Sequence, residues 1–232
     1  MLKKITFFLI LFINHILFSQ ESRIFTSLVE ANHTPNFVYH LNLSNQKLSK
    51  LPKELISFVN LKTLDASNNN LQQIDSAILV LKNLETLNVA NNNLNSLPVN
   101  VHHLNNLKSL NLNFNKFTSI PENILRLEKL ETLRFESNLL EELPEQINLL
   151  KALKKLYLKN NSLWLFPDSF SGMKNLKIVD VSNNNLSQIS NGLNARNLRR
   201  LKKLLLANNP FSSYEKGKIK FGVPKTCKII WN

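Results

Sequence analysis

The stretch Leu84-Glu-Thr-Leu87-Asn-Val89-Ala-Asn-Asn92-Asn-Leu94-Asn-Ser-Leu97-Pro98 decides the fold. Leu, three residues on Leu, two on an apolar residue, three on Asn and two on Leu make a frame that recurs along the chain. It starts at Val38, Leu61, Leu84, Leu107, Leu130, Leu153, Leu176 and Leu201. The first seven starts are 23 residues apart; the last follows after 25, the two extra residues falling within 194–198. Alternation at Leu64 and Ala66, or at Leu87 and Val89, turns both side chains to one side of a short strand. Each unit therefore gives one strand to a parallel sheet. Apolar residues further on, such as Ile78 and Leu81 or Ile124 and Leu127, close the far side of each coil. At roughly 1.5–3 kcal/mol for each fully buried large side chain, only stacked units exclude water well enough to be stable.

The Asn of the frame is Asn69, Asn92, Asn115, Asn138, Asn161, Asn184 and Asn209, with Gln46 in its place in the first unit. Over residues 38–211 this pattern resembles the leucine-rich-repeat family. The pairs Leu51-Pro52, Leu97-Pro98 and Leu143-Pro144, with Ile120-Pro121 and Phe166-Pro167, narrow the resemblance to its 23-residue subtype. The resemblance implies an α/β solenoid: a right-handed horseshoe of eight units with a parallel sheet on its concave side. It implies a structural role for the seven asparagines, whose side chains bond backbone groups that would otherwise be buried without partners. It further implies a non-enzymatic scaffold that binds a protein through the concave face.

The ends depart from the repeat, as the ends of a solenoid must if its core is to be covered. Residues 1–20 read as a signal peptide, with Lys3 and Lys4 ahead of an apolar run ending at Phe18. A spanning helix needs roughly 20 apolar residues, more than this run supplies. The expectation is therefore export, to the periplasm or outside the cell, of a product that does not span a membrane. Residues 21–37 form an N-terminal cap whose Ser27 and Glu30 have the spacing of a capping box, predicting a short helix over 27–32. In the C-terminal cap, residues 212–232, a helix over 213–221 stops at Pro224 and a strand follows over 227–231. Caps of this kind resemble those of bacterial secreted leucine-rich-repeat proteins. Cys227 is the only cysteine, so no disulfide forms within the chain and stability rests on packing; the thiol is expected buried in the cap.

Residues flanking the inward pair of each strand line up in columns across the concave face. One column runs Asn42, Asp65, Asn88, Asn111, Arg134, Tyr157, Asp180, Leu205, and the next Ser44, Ser67, Ala90, Asn113, Glu136, Lys159, Ser182, Ala207. The early units are small and polar. Units four to six differ, and their Asn111, Asn113, Phe114, Arg134, Glu136, Lys155, Tyr157, Lys159 and Trp164 are the candidate partner-binding residues, with Leu139 nearby. Aromatic side chains and Arg at exposed positions are what interface centres use.

Charge supplies a second reading. Without Lys3 and Lys4 the chain carries +11, and residues 196–232 alone carry +9. Arg199, Arg200, Lys202, Lys203, Lys216 and Lys218 are the candidates for holding an anionic glycan, lipopolysaccharide or lipid headgroup. No nucleic-acid partner is expected, since the charge comes with no recognised binding module. Nor does the sequence point to catalysis, metal or cofactor: four scattered glycines make no phosphate-cradling loop, and His102-His103 has no ligand set around it.

Overall fold

The computed structural model describes residues 21–189 and 192–231, so the predicted signal peptide lies outside the described residues. Ten strands form one parallel sheet in chain order. They are β1 (Ile24–Phe25), β2 (His40–Asn42), β3 (Thr63–Asp65), β4 (Thr86–Asn88), β5 (Ser109–Asn111), β6 (Thr132–Arg134), β7 (Lys155–Tyr157), β8 (Ile178–Asp180), β9 (Lys203–Leu205) and β10 (Lys228–Ile230). The pairing register is the repeat itself, with Leu41, Leu64, Leu87, Leu110, Leu133, Leu156, Val179 and Leu204 as successive partners. The longer last unit keeps this register, so the turn before β9 absorbs its two extra residues and the ladder does not. The frame did not show β1, because Ile24 and Phe25 precede the first unit and are too few to carry a period.

The far side of each of the first six coils is a tight turn of three to five residues: Lys53–Ser57, Ser76–Val80, Val101–His103, Glu122–Arg126, Glu145–Leu149 and Asp168–Gly172. Pro52, Pro121, Pro144 and Pro167 stand immediately before four of these, with φ between −58° and −70°. The ring holds φ where the turn begins, and the missing N–H removes a donor the turn would leave unpaired. Between turn and sheet runs an apolar core in which Phe58, Phe117, Phe135, Phe166 and Phe170 are fully enclosed. Phe117 and Phe135, from adjacent units, meet edge to face at 5.3 Å.

Seven asparagines hold each unit to the next. Asn92 is typical: its Oδ1 accepts from Leu71 N at 2.9 Å, and its Nδ2 donates to Ala66 O and Val89 O, both at 3.0 Å. One side chain thus spans the turn of its own unit and two backbone groups of the unit before it, all in the interior. The same bonds recur at Asn69, Asn115, Asn161, Asn184 and Asn209. At Asn138 the Oδ1 accepts from Phe117 N and the Nδ2 donates to Leu112 O. Gln46, the substitute in the first unit, instead reaches outward to Thr26 O and fastens the N-terminal cap.

Both ends are covered. Helix α1 (Leu28–His33) starts at Ser27, whose side chain accepts from Glu30 N, and drives Ala31 into the core. At the other end α2 (Ser213–Gly222) is capped by Ser212 and buries Glu215 and Ile219. The chain then passes into β10, and just beyond it Trp231 packs edge to face on Phe211. Cys227 is half-buried against the core rather than enclosed, and burial still pushes its thiol above the ordinary range.

Candidate functional site

The sheet aligns Asn111, Arg134 and Tyr157 as cross-strand partners on β5, β6 and β7. Arg134 lays its guanidinium over the Tyr157 ring, 4.0 Å from the centroid, and brings Nη1 to 3.6 Å from Glu136 Oε2. Glu136 in turn accepts from Asn113 Nδ2, while its own N–H donates to Asn113 Oδ1 at 2.8 Å. Four of the candidate residues are therefore one connected platform, in which an aromatic face and a cation are held in place before any partner arrives. Lys155 stands exposed at the start of β7 and Lys159 is half-buried beyond its end.

The corresponding positions in the early units are already occupied by local bonds. Asn42 Oδ1 accepts from Ser44 N, and Asp65 Oδ1 accepts from both Ser67 N and Ser67 Oγ. Asp65 Oδ2 takes Asn88 Nδ2 at 3.0 Å, so that column offers a partner little that is unpaired.

Phe114 is the exception in a different row. The residue before each ladder asparagine, and before Gln46 in the first unit, has positive φ: Asn45, Asn68, Asn91, Phe114, Ser137, Asn160, Asn183 and Asn208, all between 52° and 59°. Asparagine tolerates this left-handed conformation, whereas a bulky side chain is strained there by roughly 1–2 kcal/mol. The asparagines also bond along the row, Asn91 to Asn68 at 2.7 Å and Asn208 to Asn183 at 2.7 Å. Phe114 breaks that chain and leaves its ring 57% exposed. With Leu139 and Trp164, each 25 residues further on and more than half exposed, it makes a diagonal apolar stripe across units four to six. We expect Phe114→Asn to stabilise the protein by about 1 kcal/mol in urea melts, by relieving the strain and restoring the row. An unchanged or lowered midpoint would refute the assigned strain.

The basic end does not form one cluster. Lys218 is paired with Glu215 at 3.0 Å and Lys216 lies over the Trp231 ring at 5.6 Å. Lys203 is on β9, and Lys202 precedes it in the chain. Arg199 and Arg200 line a separate cavity with Lys174 and Arg196.

Residues 59–117 and 152–173 match two family descriptions, both leucine rich repeat. These segments carry the same 23-residue frame, parallel register and asparagine ladder as the rest. The chain is a leucine-rich-repeat protein. Leucine-rich repeats are commonly protein-binding scaffolds. No curated protein matches the sequence. Among solved structures, an internalin from Listeria monocytogenes aligns with 88% of the chain at TM-score 0.73 and 20% identity. The leucine-rich-repeat domain of the type III effector XopL aligns with 90% at TM-score 0.68 and 23% identity. The ectodomain of a plant membrane receptor kinase from Arabidopsis thaliana, solved with CASPARIAN STRIP INTEGRITY FACTOR 2, aligns with 74% at TM-score 0.54 and 32% identity. The chain spans 57% of the internalin, 72% of the effector domain and 24% of the receptor ectodomain.

Elsewhere this leucine-rich-repeat chain offers less. Among the described residues no group of three His, Cys, Asp or Glu side chains is placed for a metal ion, and no helix is long and apolar enough to cross a membrane. His102 and His103 touch edge to face on the turn side. Partial burial, then His103 and Arg126, hold the His102 imidazole below its ordinary range. The sequence named Phe114 together with the platform residues, but not its left-handed backbone, because handedness is not written in a hydrophobic period.

Proposed function

We propose that the protein is a binding scaffold that holds a protein partner on the concave face of its sheet, anchored by Phe114, Arg134 and Tyr157. The observation that carries this reading is Phe114, an exposed aromatic kept at a left-handed position where the other units place Asn or Ser. Strain retained against an available alternative is the mark of a site selected for something other than stability. The Arg134–Tyr157 stack beside it supplies a preorganised cation and ring, the side-chain types that dominate binding energy. The receptor ectodomain that shares the fold was solved in complex with CASPARIAN STRIP INTEGRITY FACTOR 2, which agrees with a repeat surface used for binding. Export, read from residues 1–20, puts the partner in the periplasm or outside the cell.

Affinity capture from envelope and external fractions tests this, using the protein and its Phe114→Asn variant side by side. A partner retained by the former at about 0.5 M salt and lost by the latter is the expected result, because screening at that strength leaves apolar contacts intact. Equal retention by both proteins, or release of the partner by salt alone, overturns the proposal.

A further inference from the structure

We propose that the cavity between Lys174 and the 196–200 turn is a second, separate site, which binds a dianionic phosphate monoester. The cavity is about 560 Å³ and is lined by Lys174, Asn175, Arg196, Asn197, Arg199 and Arg200: four cations, two amides and no carboxylate. Elsewhere on the solenoid a cation meets a carboxylate of the adjacent unit, as in Lys108 with Glu85 and Lys154 with Glu131, whereas this lining supplies none.

The turn itself is the irregular part of the repeat. It belongs to the one unit with two extra residues, and those residues give the segment its own bonds: Asn197 N and Leu198 N donate to Asn194 O, and Arg196 N donates to Asn194 Oδ1. The guanidiniums are held in turn. Arg199 Nε donates to Arg196 O and Arg200 Nη1 to Asn175 Oδ1, both at 2.8 Å. Each of these bonds uses one N–H of the five on a guanidinium, leaving the planar fork of the other donors to face an oxyanion. A length that breaks an otherwise fixed period, spent on gathering like charges that repel one another, fits a site better than a solubilising surface. A dianionic tetrahedral ester presents several acceptor oxygens and enough charge to offset that repulsion.

The test is calorimetric titration of the protein with inorganic pyrophosphate at low salt. Saturable binding is expected, and Arg196→Ala with Arg199→Ala should weaken it roughly tenfold or more, since two charge-assisted contacts are lost. Lys216→Ala with Lys218→Ala, equally basic but placed elsewhere, should leave affinity within about twofold. All four side chains are at the surface, so melting temperatures should stay together. No saturable binding, or equal weakening by both pairs, overturns the site, the latter by reducing it to diffuse charge. Co-sedimentation with vesicles containing phosphatidic acid, lost in the Arg196→Ala, Arg199→Ala protein, would name a lipid headgroup as the source. Pyrophosphate binding without co-sedimentation would name a soluble ester. None of the four cations belongs to the sheet platform, so either reading can fail alone.

Discussion

Asn138→Ala lowers stability by about 3 kcal/mol or more in urea melts, because it strands buried backbone groups at about 1–3 kcal/mol each. Phe117 N loses the Asn138 Oδ1 that accepts it at 3.1 Å, and Leu112 O loses the Nδ2 that donates to it at 2.9 Å. Alanine replaces neither, and the interior position, 7% exposed, admits little water to do so. The location adds to the loss. Asn138 joins unit five to unit four, and in a structure where each unit touches only its neighbours a broken central joint separates the stack into halves. The neighbouring row gives the comparison. Asn68 looks replaceable from the sequence, yet its φ of 55° and its bond from Asn91 give Asn68→Ala a cost of its own, about 1 kcal/mol. Asn68→Gly keeps the left-handed conformation and should cost less still. Losses of equal size at Asn138 and Asn68 would show that the inner ladder is not what joins the units.

Partner capture is abolished when Arg134→Ala and Tyr157→Ala are combined with Phe114→Asn, while the protein melts within a few degrees of the original. The three residues come from units four to six, the middle of the sheet, where a partner laid on the face is most fully dehydrated. Truncating one such anchor typically costs at least about 2 kcal/mol of binding, roughly thirtyfold in affinity, although neighbouring losses do not add. Arg134 and Tyr157 are coupled by their stack, so a double-mutant cycle on them should be visibly non-additive. The control changes Asn42, Asn88 and Asp65 to Ala. It should bind almost normally while melting somewhat lower, since Asp65 carries bonds from Ser67 and Asn88. Capture that survives the first triple but vanishes when Lys202, Lys203, Lys216 and Lys218 become Glu would move the partner site to the basic end.

What the sequence determined by itself is whatever repeats. A frame held at 23 residues sets the parallel register, the inward residues of every strand and the asparagines that join the units, because each is tested again in every unit. The columns of the concave face follow from the same register, so Arg134 and Tyr157 were neighbours on paper before they were neighbours in space. Only the tertiary structure decided the features that occur once. That Glu136 is committed to Asn113, that Phe114 is left-handed and breaks a bonded row, and that Lys216 and Lys218 are engaged within the cap while Lys174 joins the arginines some 25 residues on all depend on side-chain directions and backbone turns. A period fixes where a Cα stands, whereas the rotamer, the sign of φ and the nearest charge in the next unit are settled by packing, and packing is a property of the assembled coil.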